Sequence, residues 1–237
     1  MDMEPKDRII LAMDVSSLHE ARQLLEKVDG KLDRFKVGLE FITAEGSLRA
    51  VSIVHGNQGR VFYDGKFCDI PNTVGAASKN VASFGVEMFN VHASCGKKSI
   101  EAAVANRGKS LVLGVTVLTS IDEEECMSIF GDKPDVKVLQ FARTLMEAGA
   151  HGIICSPKEL LFLGKHSELD KMQKIVPGIR PDWAAVGDQK RVMTPAEAIK
   201  AGATALVIGR PITNPPEMIG GTKQAIAKIL DEIVSMS

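Results

Sequence analysis

The sharpest local pattern in the 237-residue sequence is Asp64-Gly65-Lys66-Phe67-Cys68-Asp69. In an extended segment side chains alternate between faces, so Asp64 and Lys66 project to one side and Gly65 to the other. That alternation sets a carboxylate beside an ammonium. Asp69 follows just ahead of Pro71, where the start of a helix favours negative charge. Such a set brings an anion and a cation together where they could also meet a ligand. An ordinary ion pair followed by a helix cap has the same spacing, and spacing alone does not separate the two readings.

Other ionisable residues close apolar runs in the same way. Asp14 ends Ile9-Ile10-Leu11-Ala12-Met13, Lys36 lies in Phe35-Lys36-Val37-Gly38, and His92 ends Phe89-Asn90-Val91. Charged groups are costly to leave unpaired inside a packed core, so these need one another or a ligand. Gly209 and Arg210 close a further run: the glycine permits close backbone approach and the arginine offers a fork of donors suited to phosphate. A surface arginine ending a strand is the plain alternative.

The runs that carry these residues are short and apolar or β-branched, each followed by a longer amphipathic segment, as in a parallel α/β protein. Strands are expected at Arg8–Asp14, Arg34–Gly38, Arg60–Lys66, Glu87–His92, Leu111–Leu118, Gly152–Ser156, Gln173–Pro177 and Ala205–Gly209. Helices are expected over 17–28, 45–55, 71–84, 97–107, 136–149, 158–165, 195–201 and 220–234. Pro71, Pro157 and Pro195 stand at or just before first helical turns, where a missing N–H costs nothing. An open doubly wound sheet fits the alternation too. The count of eight favours a closed (β/α)8 TIM barrel, a single domain over residues 1–237. In that fold active-site groups come from the C-terminal ends of the strands and the loops beyond them. Gly178–Arg191, with Pro181, Trp183 and Gly187 and weak periodicity, reads as a long loop after the seventh strand and a natural lid.

Composition narrows the class of partner. A formal net charge of −1 gives no global basic field to draw nucleic acid or an anionic membrane, so an anionic ligand must be held by local groups. Cys68, Cys95, Cys126 and Cys155 are widely spaced without a CxxC pair, which argues against a disulfide framework or a zinc site. The N-terminal segment lacks the length and flanks of a signal peptide or membrane span. A reducing, cytoplasmic setting is expected.

Asp64–Thr73 resembles the DxKxxD-I-P-N-T signature of the orotidine monophosphate decarboxylases. The likeness extends, in the family's order, through Asp14, Phe35–Gly38, Asn90–Ala93, Val117–Ser120, Pro177–Arg180, Gly187–Gln189 and Ile208–Pro211, and so covers nearly the whole chain. DxKxxD is shared with related sugar-phosphate decarboxylases and synthases. The Pro177-Gly178-Ile179-Arg180, Gly187-Asp188-Gln189 and Ile208-Gly209-Arg210 set is what points to the nucleotide enzymes. Three residues depart from the usual pattern: Cys68 where many bacterial relatives have His, and Tyr63 and Gly65 where aliphatic residues are expected. None removes a reactive group.

The resemblance implies a cofactor-free enzyme that takes the carboxylate from orotidine 5′-monophosphate to leave UMP, with no metal. By similarity Lys66 protonates C6 of the pyrimidine, and Lys36, Asp64 and the partner subunit's Asp69 complete an alternating charge network around it. Asp14 and Lys36 are implied at the ribose hydroxyls, Thr73 at the partner's side of the ribose, and Thr119 at the pyrimidine edge. Ile70 and Pro177 join the substrate-binding set, and Arg210, Gly209, Gln189 and Arg180 are implied at the phosphate. A homodimer sharing Asp69 and Thr73 across its interface follows from the same likeness.

Two competing functions share the barrel. A magnesium-dependent sugar-phosphate decarboxylase or aldolase would use an acidic ligand near the end of the second strand, where Glu40 stands, although Lys36 and Gln189 weigh against it. A non-catalytic barrel that senses UMP would have no need of a proton donor between two aspartates. Among residues set aside, His92 reads as a structural histidine at the barrel mouth. Asp122–Glu125 reads as a solvated loop or helix start, and Lys97-Lys98 as a solvent-facing helix start. Trp183 either packs over a closed lid or covers apolar surface.

Overall fold

Every second residue of the strand runs points to one side, and the two sides make two separate cores. Ile10, Ala12, Phe62, Met88, Leu113, Ile175, Ala205 and Val207 pack together in one cluster. Their strand neighbours, among them Ile9, Leu11, Phe35, Val37, Phe89, Val91, Leu206 and Ile208, join a larger one with the helices. A sheet that buries both faces this way must curl on itself or be covered on both sides. The computed structural model, which describes residues 3–185 and 192–235, shows the first solution.

Eight parallel strands, β1 (Ile9–Met13), β2 (Arg34–Gly38), β3 (Arg60–Phe67), β4 (Met88–His92), β5 (Leu111–Val115), β6 (Gly152–Ile154), β7 (Gln173–Val176) and β8 (Ala205–Ile208), run in sequence order around a closed barrel. Closure is made by β1, which pairs with β2 through Leu11↔Phe35 and with β8 through Ile10↔Val207. The expected single-domain (β/α)8 barrel is therefore the observed fold, and the open sheet is not.

Among the described residues the helices are α1 (Leu18–Val28), α2 (Leu39–Glu45), α3 (Ser47–Gly56), α4 (Pro71–Ser83), α5 (Lys97–Ala105), α6 (Glu123–Phe130), α7 (Pro134–Glu147), α8 (Leu160–Leu163), α9 (Pro195–Lys200), α10 (Arg210–Thr213) and α11 (Thr222–Val234). Local chemistry sets their ends. Ser17 caps α1 by accepting the Glu20 N–H, Pro71 and Pro195 open α4 and α9, and Thr194 with Glu197 closes a reciprocal capping box.

Three helices lie where no helix was assigned. α2 and α10, at seven and four residues, are too short to display a helical period. α6 grows from the acidic run, which proves to be a helix start: Asp122 accepts the Glu125 N–H at 3.0 Å, and three glutamates occupy the first turn. β5 ends at Val115 rather than Leu118, so Thr116, Val117 and Leu118 become part of the loop above the barrel.

The two ends of the barrel differ. At the N-terminal end Arg34 pairs with Glu87, while Arg60 bonds Asp7 at 2.5 Å and Asp33 at 2.6 Å. This ionic plug is remote from the strand C-termini and belongs to stability. No helix among the described residues is long and apolar enough to cross a membrane.

Candidate active site

β3 does not run regularly to its end. Its register with β4 steps from Tyr63↔Phe89 directly to Phe67↔Val91, so four residue steps on β3 face two on β4. Two extra residues bend the strand yet preserve its parity. Tyr63 and Phe67 stay on the helix side, Phe62 in the barrel interior, and Asp64 and Lys66 meet on the inner side as alternation requires. Lys66 takes a left-handed backbone, φ +50°, which a residue with a Cβ disfavours and which concentrates at functional sites.

The charges form a chain. Lys66 Nζ donates to Asp64 Oδ1 at 2.6 Å; Lys36 Nζ lies 3.3 Å from Asp64 Oδ2 and donates to Asp14 Oδ1 at 3.0 Å. Asp64 is 8% exposed. Burial pushes its carboxyl up, but the charges of Lys36 and Lys66 and the bonds from Lys66 and Asn90 outweigh that, and Asp64 is held below the ordinary carboxylate range. Lys36 behaves conversely: burial pulls its ammonium down, and the two aspartates more than restore it, so its pKa lies above the ordinary lysine value. The sequence brought Asp14, Lys36, Asp64 and Lys66 into one argument, and the fold brings them into one network.

A cavity of about 200 Å³ opens beside this network, lined by Phe62, Val115, Val117, Leu118, Ile154 and Val207 as well as by Lys36, Asp64, Lys66, Thr119 and Pro177. It is smaller than the usual drug-sized pocket, so it suits a flat ring and part of what is attached to it. Its apolar walls strengthen each charge interaction within it. Arg210, first residue of α10, lines a second recess with Ala184, Ala185, Pro211 and Asn214. Gly209 stands between the two regions: a Cβ there would lie 3.4 Å from Ala12 and 3.7 Å from Asp14 Oδ2.

The remaining candidates fall in three places. Asp69, Ile70 and Thr73 lie on one exposed stretch, and the Asp69 carboxylate accepts the Ile70 N–H at 2.7 Å. Arg180 is buried at the base of the long loop, where its guanidinium donates to the Ile179 carbonyl and its N–H to Met193. Gln189, with Gly187 and Asp188, lies outside the described residues.

Residues set aside behave mostly as structure. His92 is half-buried beside Ser94, 3.3 Å from its hydroxyl, and burial together with the Lys66 charge lowers its pKa. Lys97 pairs with Glu147 at 3.0 Å. Trp183 packs against the main core. Glu40, the residue a metal-dependent relative would require, is exposed and accepts the Ser16 hydroxyl at 2.7 Å. Sequence reasoning gave no role to Asn90, whose side chain bonds both Asp64 and Lys66. The available signal was an amide at an inward position of an otherwise apolar strand.

Comparison with known proteins decides the family. The model for the orotidine 5′-phosphate decarboxylase / HUMPS family matches residues 7–220. The chain belongs to this family. It is 41% identical to an orotidine 5′-phosphate decarboxylase of Moorella thermoacetica, over 96% of this chain and 94% of that one. It is 40% identical to one of Mannheimia succiniciproducens, over 94% and 99%. Among solved structures, the orotidine 5′-phosphate decarboxylase of Lactobacillus acidophilus superposes with a TM-score of 0.80 at 28% identity, covering 95% of this chain and 98% of that one. The resemblance read from Asp64–Thr73 thus extends to nearly the full length of carboxy-lyases of the family.

Proposed function

We propose that this chain is an orotidine 5′-monophosphate decarboxylase, releasing CO2 from orotidine 5′-monophosphate to leave UMP in pyrimidine biosynthesis, without a cofactor. The observation that carries the reading is the Lys66 ammonium held 2.6 Å from a buried aspartate at the wall of an apolar-lined cavity. Breaking the bond between C6 and the carboxyl carbon leaves an electron pair in the plane of the ring, where the ring π system cannot take it up. A preplaced cation stabilises that pair as it forms, and one Lys66 N–H delivers the proton that replaces CO2. The amine then regains a proton from solvent, so one proton is consumed for each CO2 released.

The other residues bind and orient. Asp14 and Lys36 reach the ribose hydroxyls, Thr119 the pyrimidine edge, and Ile70 and Pro177 contact the substrate as it sits in the site. Gly209, Arg210, Arg180 and Gln189 grip the phosphate, with residues 178–191 as the lid. The exposed Asp69–Thr73 stretch supports a homodimer in which Asp69 and Thr73 complete the neighbour's site: within one chain the Asp69 carboxylate accepts the N–H of the adjacent Ile70, and Ile70 leaves a large apolar side chain in solvent. Four free cysteines fit action in the cytoplasm.

The test is loss of orotidine 5′-monophosphate absorbance with and without EDTA. Turnover should survive chelation. No turnover, or turnover abolished by EDTA and restored by magnesium, would reject it.

A further inference from the structure

Asn90 lies on β4 between Phe89 and Val91, the two residues that pair with Tyr63 and Phe67 on either side of the β3 bulge. The bulged segment has lost its regular partners on β4 there, and the Lys66 N–H needs another acceptor. Asn90 supplies it: its Oδ1 accepts the Lys66 N–H at 2.7 Å, while its Nδ2 donates to Asp64 Oδ1 at 2.7 Å. The side chain is fully buried. A side-chain amide offers an acceptor and a donor on one planar head without having to titrate, and here both ends are used. The same Asp64 oxygen also receives the Lys66 ammonium. One side chain therefore fixes the left-handed main chain that carries the ammonium and the carboxylate that aims it.

We propose that Asn90 is a positioning residue for proton delivery, setting the direction of the Lys66 ammonium before substrate enters. The inference rests on the reading of Lys66 as the proton donor. It assigns Asn90 an effect on turnover with little effect on binding, because Asn90 is not itself among the residues that line the cavity.

Two variants test it in the full-length protein. Asn90→Leu removes both bonds at similar volume. Its kcat should fall about 10- to 100-fold, as for other groups that orient a reactive residue, with the affinity for UMP within about threefold of wild type. Asn90→Asp keeps an acceptor for the Lys66 N–H but sets a second carboxyl against Asp64, and one of two such carboxyls holds its proton. The ionisable groups facing it are Asp64 and Lys66 on β3, Lys36 behind Asp64 on β2, and His92 further along β4; from β5 its register partner is the apolar Leu113. Protonation recreates the donor to Asp64. The ratio of its kcat to wild type should therefore climb about tenfold per pH unit as the pH falls towards the pKa of the new carboxyl.

Wild-type kcat in Asn90→Leu would overturn the proposal, as would a pH-independent ratio in Asn90→Asp. If Asn90→Leu does not fold, the pH profile decides alone. Wild type and Lys66→Ala are assayed alongside. An inactive wild type or an active Lys66→Ala overturns the functional reading along with this one, whereas normal Asn90 variants beside an inactive Lys66→Ala overturn only the role of Asn90.

Discussion

The ring of Tyr63 lies over the backbone of Gly65, so that a Cβ built on Gly65 would meet Tyr63 Cε1 at 2.5 Å and Phe67 Cε1 at 3.1 Å. The Tyr63 hydroxyl is tied to Ser47 at 2.8 Å, which holds the ring in place. Tyr63 and Gly65, both at positions where aliphatic residues were expected, thus compensate each other: the large ring takes the space that the missing side chain leaves. Gly65→Ala should destabilise by about 1–3 kcal/mol through overpacking. Tyr63→Val in the same chain should recover at least about 1 kcal/mol relative to the sum of the single changes, measured by urea denaturation. Strict additivity would show that the ring is free to move aside.

Lys66→Ala tests the chemistry apart from the fold. Its kcat should drop by more than about 10³-fold, over about 4 kcal/mol of barrier, while the circular dichroism spectrum stays that of wild type. Turnover near wild type in the folded variant would remove Lys66 from the reaction.

Asp64 links the network to acid stability. Its carboxyl is depressed in the fold, so the stability it contributes is present above its unfolded pKa, near 3.8, and is lost as pH falls through the folded value. Lys36, raised in the fold, contributes below its unfolded value of 10.5 and loses that as pH rises beyond it. Asp64→Asn should cost about 3 kcal/mol at neutral pH, because it takes the carboxylate from Lys66 and leaves the buried Lys36 with Asp14 alone. Its unfolding free energy should also fall less steeply than wild type as the pH drops below about 4. Parallel acid profiles would mean that Asp64 is not ionised differently in the fold.

Shared sites have an arithmetic signature. In a dimer of Lys66→Ala with Asp69→Ala, one site carries both lesions and the other carries neither. Equal mixing with free exchange makes half the dimers mixed, so about a quarter of wild-type activity should return. Exchange without recovery would confine Asp69 to its own chain.

Much of this was legible in the sequence, for identifiable reasons. The eight strands were legible because buried parallel strands read as short apolar runs, and Asp14, Lys36, Asp64 and Lys66 stood out as charges interrupting them at one end. The charge chain through Lys36 follows from parity, since Asp14, Lys36, Asp64 and Lys66 all take inward positions. The β3 bulge was not legible: two extra residues leave the alternation of Tyr63, Asp64, Lys66 and Phe67 unchanged, so periodicity carries no trace of them. Asn90 was missed with it, because its role depends on that bulge. The pairing of Tyr63 with Gly65 showed in the sequence only as two separate oddities. α2 and α10 run for about two turns and one turn, too few for a helical period to repeat.

The most direct measurement is a crystal structure with a UMP analogue that bears a polar substituent at C6. The Lys66 Nζ should lie about 2.6–3.2 Å from that substituent, with Asp64 still bonded to the ammonium. A Lys66 side chain turned away from the ring, with another group in contact at C6, would contradict it.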